Sequence, residues 1–174
     1  MGNNTIVQMK SYNVGQIILH WTIAVLVFYQ YALGTTLTDE KLLKCNEVGV
    51  ATLLCEGFLP QYVVGSMILG LMLVRTFFKL YFGAPPLSDT VPYFFKILAK
   101  LSHISLYLLV FAVTITGLLG LFANSSLTLN IHSLISNLLI ILILIHICAV
   151  AFHEGILGSR LLYRMVTINK NHLS

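Results

Sequence analysis

Apolar residues crowd into four stretches of this chain, near residues 14–33, 62–82, 97–122 and 131–152, and polar residues collect between them. Each stretch is long enough to cross a hydrocarbon core of about 30 Å as a helix. Backbone N–H and C=O groups find no water in lipid, so helices are expected rather than open strands. The link Ala123-Asn124-Ser125-Ser126 is short and makes the third and fourth stretches antiparallel neighbours. The link near residues 83–96 holds Pro85, Pro86 and Pro92 and reads as a stiff connection. The first stretch reads as a retained span rather than a cleaved leader, because it exceeds a usual leader core and only Lys10 precedes it. No repeat or low-complexity tract interrupts the pattern. It predicts an all-α integral membrane four-helix bundle, a single domain covering residues 1–174.

Composition sharpens this. Of 174 residues, 57% are hydrophobic and 9% charged, against roughly 25% charged in soluble domains. Mean hydropathy is +0.89. The net charge of +4 is scattered over loops and forms no basic stripe with interleaved aromatics, which excludes a nucleic-acid partner. With alternating spans, Lys10, Arg75, Lys79, Lys96, Lys100, Arg160, Arg164 and Lys170 fall on one side and only Lys41 and Lys44 on the other. The positive-inside rule then puts both termini in the cytoplasm and the 34–61 loop outside. That loop carries Asp39, Glu40, Glu47 and Glu56, and also Cys45 and Cys55, for which an oxidising compartment favours a disulfide. Cys148, in the fourth span, reads as a small core residue. No Cys-x-x-Cys-His occurs, which excludes covalent c-type haem.

Ionisable groups inside a bilayer are costly and usually functional. His132 and His146 lie fourteen residues apart in the fourth span, on nearly one helix face and about 21 Å apart along the axis. His20, followed by Trp21, lies early in the first span, so antiparallel traffic brings it to the depth of His146, near the inner leaflet. Two imidazoles at one depth on different helices suit a haem iron held from both faces, or a hydrogen-bonding bridge between helices. His132 is at the outer end, as an interfacial residue or a ligand of a second haem. Gln61 and Met67 are the nearest polar or soft groups there. His103 is near the inner side, suited to a haem propionate, a quinone or the interface. Arg75 is a candidate propionate partner or a snorkelling anchor, the latter slightly preferred. His153 with Glu154 reads as an interfacial pair, and His172 as an inert tail residue. Ser66, Gly70, Gly117 and Gly120 offer small surfaces for close helix approach.

Several stretches together resemble the bacterial cytochrome b561 family: Gln16-Ile17-Ile18-Leu19-His20-Trp21; Gly65 through Arg75 with Pro85-Pro86 downstream; Leu101-Ser102-His103 with Leu106-Tyr107-Leu108-Leu109; and Ile131-His132, His146 and Leu161-Leu162-Tyr163-Arg164-Met165. The likeness runs from Ser11 to Val166. It implies four helices and two b-type haems in a bacterial inner membrane, with His20 and His146 as one ligand pair. The other pair would join His132 to a helix-two histidine, but Gln61 occupies that position. The second haem is then absent, held by His132 alone, or weakly assisted by Gln61.

The resemblance implies haem b electron transfer with the quinone pool, in the lipid bilayer, with a redox partner protein as a further candidate. Whether the chain is a carrier or an oxidoreductase stays open. Two other classes compete: a cytochrome b anchor subunit of a larger dehydrogenase or hydrogenase, and a haem-poor interaction protein whose histidines only bridge helices.

Overall fold

The computed structural model describes residues 12–35, 58–83, 91–123, 126–156 and 161–166. Four long helices, α1 Val14–Thr35, α2 Phe58–Phe82, α3 Tyr93–Ala123 and α4 Ser126–Gly155, are followed by a short α5, Leu161–Val166. All four long helices are long and apolar enough to cross a membrane. The protein is an all-α membrane bundle. The helices run a few residues past the expected limits, chiefly at the starts of α2, α3 and α4, because hydropathy marks the apolar stretch and not the interfacial turns around it. Lys10, Lys41, Lys44, the Cys45–Cys55 pair, the Pro85-Pro86 link, Arg160, Lys170 and His172 lie outside the described residues.

Local chemistry sets the helix ends. The Gly15 amide donates to Asn13 Oδ1 (2.9 Å) while Gln16 Oε1 accepts from the Asn13 amide (3.3 Å), a reciprocal cap on α1. At the end of α2, Gly83 takes φ +72° and its amide donates to the Lys79 carbonyl (3.1 Å), a left-handed stop that glycine adopts without strain. Glu154 Oε2 accepts the Leu162 amide (3.0 Å) and caps α5.

α1 packs on α2, α2 on α3, and α3 most extensively on α4. Tyr31 Oη donates to Asn137 Oδ1 (3.1 Å), tying α1 to α4. Two glutamines of α1 fasten it to α2. Gln16 Nε2 donates to the carbonyls of Phe78 (3.3 Å) and Gly83 (3.1 Å), and Gln30 Nε2 donates to the carbonyl of Gln61 (2.8 Å). Gly15 lies against Phe78, whose ring would sit 2.7 Å from an added Cβ, so α1 and α2 touch closely at that end. Trp21 Nε1 donates to the Met165 carbonyl (3.0 Å) and holds α5 against α1.

The end where α1 starts and α4 stops is the N-terminal end of the bundle; the other is the far end. Between them lies a dry layer of Ile23, Val27, Ile68, Met72, Val110 and Leu139. Most other large apolar side chains face outward, as lipid-facing surfaces do. Cys148 is among the outward-facing residues and not in the core as expected, since burial gains little when the solvent is itself apolar.

Ile68 is 2% exposed and Leu80 is 80% exposed. Ile68→Ala should therefore lower stability by about 2 kcal/mol through the cavity it leaves, and Leu80→Ala should stay within about 0.5 kcal/mol. Thermal unfolding in detergent measures both.

Candidate functional site

At the N-terminal end, residues from all four long helices converge. His20 lies early in α1, Arg75 late in α2, His103 early in α3 and His146 late in α4, so antiparallel traffic sets all four at similar depth. The three histidines and Arg75 are within electrostatic reach of one another. Arg75 Nη2 donates to His20 Nδ1 (3.0 Å) and Nη1 to the Gln16 carbonyl (3.1 Å). The rings of His103 and His146 meet edge to face with centroids 5.0 Å apart. Lys79 Nζ lies over the Tyr107 ring at 4.3 Å, and the Arg75 guanidinium at 5.8 Å. Arg75 thus turns inward rather than snorkelling, because the Gln16 carbonyl and His20 offer it acceptors on the facing helix.

This cluster carries two cations and three imidazoles. The one carboxylate side chain among the described residues, Glu154, already serves the Leu162 amide. Cations set among apolar helices without counter-charge are costly. The cluster therefore calls for an anionic ligand that also accepts imidazole nitrogens. Haem is one: its iron takes two histidines and its propionates take arginine or lysine. The donor set fits that group. Among the described residues no three His, Cys, Asp or Glu side chains converge as they would on a bare ion.

A second polar region lies at the far end. A cavity of about 250 Å³ is bounded by all four long helices, with Gln30 and Tyr31 from α1, Gln61 from α2, Thr114 from α3, and His132 and Ser136 from α4 on its wall. His132 Nδ1 donates to the Val113 carbonyl (3.0 Å), with Thr116 Oγ1 also 3.3 Å away. That bond fixes the tautomer and leaves Nε2 as the nitrogen with a free lone pair. Gly117 makes room for the ring: a Cβ there would meet His132 Cε1 at 3.0 Å. Buried Oε1 atoms of Gln30 and Gln61 have no hydrogen-bond partner. The wall holds no Lys, Arg, Asp or Glu. One imidazole faced by carboxamides does not fit a haem with two histidine ligands.

Of the sequence candidates, His20, His146, His103 and Arg75 come together at one end, and His132 and Gln61 share the cavity at the other. Met67 is 52% exposed and takes no part. Ser66 is also exposed, and a Cβ at Gly70 would meet nothing within 4 Å, so neither serves close packing, whereas Gly117 and Gly120 lie against His132 and Leu129. His153, read as interfacial, is 7% exposed against the Phe95 ring of α3 (centroids 5.3 Å). The sequence reading missed Gln30 and the fastening role of Gln16. Their spacing of fourteen residues, the same as that of His132 and His146, was the available signal.

The family described as prokaryotic cytochrome b561 matches residues 11–167 of the chain. The chain is also 32% identical over 162 residues to a protein of Cereibacter sphaeroides named cytochrome b562, covering 91% of this chain and 97% of that relative.

Gly117→Val should destabilise the bundle by about 2 kcal/mol through overpacking against His132, while Gly70→Ala leaves thermal unfolding in detergent unchanged within about 0.5 kcal/mol.

Proposed function

The chain belongs to the prokaryotic cytochrome b561 family, and from that premise we propose that it carries electrons across the membrane-embedded bundle through one haem b at the N-terminal end, bound by His20 and His146. The family makes it a multi-pass bacterial membrane protein with haem b and an electron-transfer role. The finer assignment is carried by one observation: two histidines on α1 and α4 share a single depth with Arg75 and Lys79, and no carboxylate among the described residues neutralises those cations. When bound, haem supplies a one-electron ferric–ferrous couple.

The chain's own residues supply the rest. His20 and His146 would hold the iron from α1 and α4. Arg75 has a second task. Guanidinium only donates, so its contact makes His20 Nδ1 an acceptor and places the imidazole proton on Nε2. With haem bound, His20 would give a ring nitrogen to the iron and Arg75 would be available to pair with a propionate. His103 lies against His146 and limits how that ring turns. The apolar layer of Ile23, Ile68, Met72 and Val110 keeps water from the site, which favours electron transfer without side reactions. Positive-inside bias puts this end at the cytoplasmic face of the inner membrane and both termini in the cytoplasm. The electron partner on this reading is the quinone pool, with a redox protein as the other terminus.

Purified from cells with adequate haem supply, the protein should contain one haem b per chain and give a reduced-minus-oxidised b-type spectrum. His20→Ala and His146→Ala should each lose that haem, while His132→Leu retains it. A haem-free wild type, or a His146→Ala variant with full haem content, would contradict the assignment.

A further inference from the structure

The two helices that carry His20 and His146 leave a seam between them. We propose that α5 is a bar across that seam, and that Trp21 and Glu154 fasten the bar and so retain the haem. The ligand's identity rests on the electron-transfer reading above; the bar and its fastenings come from the helix contacts alone.

The seam follows from the packing. α1 lies on α2, α2 on α3 and α3 on α4, while α1 and α4 touch only sparsely. The other side of α1 is sealed at this level. Gln16 donates to two carbonyls at the end of α2, and Gly15 lies against the Phe78 ring. Tyr31 and Asn137 tie α1 to α4, but at the far end. Trp21 is ten residues nearer the start of α1 than Tyr31, about 15 Å along the axis. That tie therefore does not reach the level of His20. A porphyrin gripped from α1 and α4 lies between them, and the seam is the side by which it would leave.

α5 joins the same two helices at the N-terminal end. It has six residues, too few for a helix to persist alone. Its first amides and last carbonyls have no partner inside it, so other groups must meet them. Here one partner comes from each ligand helix. Glu154, in the last turn of α4, accepts the Leu162 amide on Oε2 (3.0 Å). Trp21, next to His20 on α1, donates its indole Nε1–H to the Met165 carbonyl (3.0 Å). The same indole stands edge to face with the His20 imidazole, centroids 5.6 Å apart. One side chain thus touches both a ligand ring and the bar. Glu154, the one carboxylate side chain among the described residues, is committed to this cap although Arg75 and Lys79 lie at the same end of the bundle. A side chain that could have neutralised a cation instead holds α5 to α4.

The test measures haem release. Full-length, haem-loaded protein in phospholipid nanodiscs is mixed with excess apomyoglobin, and haem transfer is followed in the Soret band. Trp21→Phe keeps an aromatic ring but has no N–H to donate, and it should release haem about fivefold faster than wild type. Glu154→Ala should do the same, whereas Glu154→Gln, which keeps an acceptor oxygen, should match wild type. Both residues hold one bar, so Trp21→Phe combined with Glu154→Ala should release haem no faster than the faster single variant. Tyr31→Phe also removes a donor that joins α1 to α4, but at the far end, and should release haem at the wild-type rate. Unchanged release in Trp21→Phe and Glu154→Ala would make α5 a bystander and overturn the proposal. Equal acceleration by Tyr31→Phe would overturn it too, as general loosening of the bundle. Multiplied effects in the double variant would do so by making the two contacts independent. Each of those outcomes leaves the haem content, and with it the electron-transfer reading, intact, whereas a haem-free wild type would sink both.

Discussion

Helices in lipid gain little by hiding apolar surface from one another, so a few polar side chains must decide how they pack. In this bundle that constraint makes the polar groups that fasten the helices into neighbours of those that form the sites. Gln16 reaches the end of α2 through the carbonyls of Phe78 and Gly83, and its own carbonyl receives Arg75. Arg75 in turn meets His20. A chain of three contacts thus runs from the α1–α2 fastening to a haem-ligand candidate. Each interhelical bond contributes only about 0.6 kcal/mol on average in such bundles, but together they fix rotation and register, which dispersion between leucines does not.

The far end repeats the device. Gln30 ties α1 to the Gln61 carbonyl, and the side chains of both residues line the cavity. Gln16 and Gln30 sit on nearly one face of α1, about 21 Å apart along its axis, as His132 and His146 do on α4. Each helix therefore carries one polar group per site, separated by the same rise, with Ile23, Val27, Ile68 and Leu139 in the layer between. The periodicity of the helix is what divides the bundle into two polar sites and a dry middle.

Much of this is legible without coordinates. Span number and placement follow from hydropathy alone, because a bilayer reads composition over a whole window. The shared depth of His20 and His146 follows from counting residues along antiparallel spans. Side-chain direction does not follow. Arg75 at the end of an apolar run reads slightly better as a snorkelling anchor, and what turns it inward is a carbonyl on another helix. His153 looks interfacial from its place beside Glu154, yet it is buried by Phe95, a residue of α3 that hydropathy treats as one more apolar position. Cys148 fails in the opposite direction, since the rule that small apolar residues go inside weakens when the outside is lipid. Gln30 was visible as a polar residue in an apolar run, the same signal that drew attention to the histidines.

Residue 61, where the family resemblance leads one to expect a histidine, is a glutamine. A histidine at residue 61 would give the far end two imidazoles. Glutamine there leaves one imidazole, whose Nδ1 is committed to the Val113 carbonyl, facing a carboxamide. Carboxamides neither ionise nor bind ferric iron as strongly as imidazole, but they recognise hydroxyls and carbonyls well. The backbone frame there is fastened through the Gln61 carbonyl and not its side chain, so the identity of that side chain does not decide the frame. The N-terminal end is under the opposite constraint. Its Arg75 and Lys79 face no carboxylate among the described residues, so no single replacement there would turn it into a neutral site. The two ends therefore differ in charge: Arg75 and Lys79 at one, and no Lys, Arg, Asp or Glu on the cavity wall at the other.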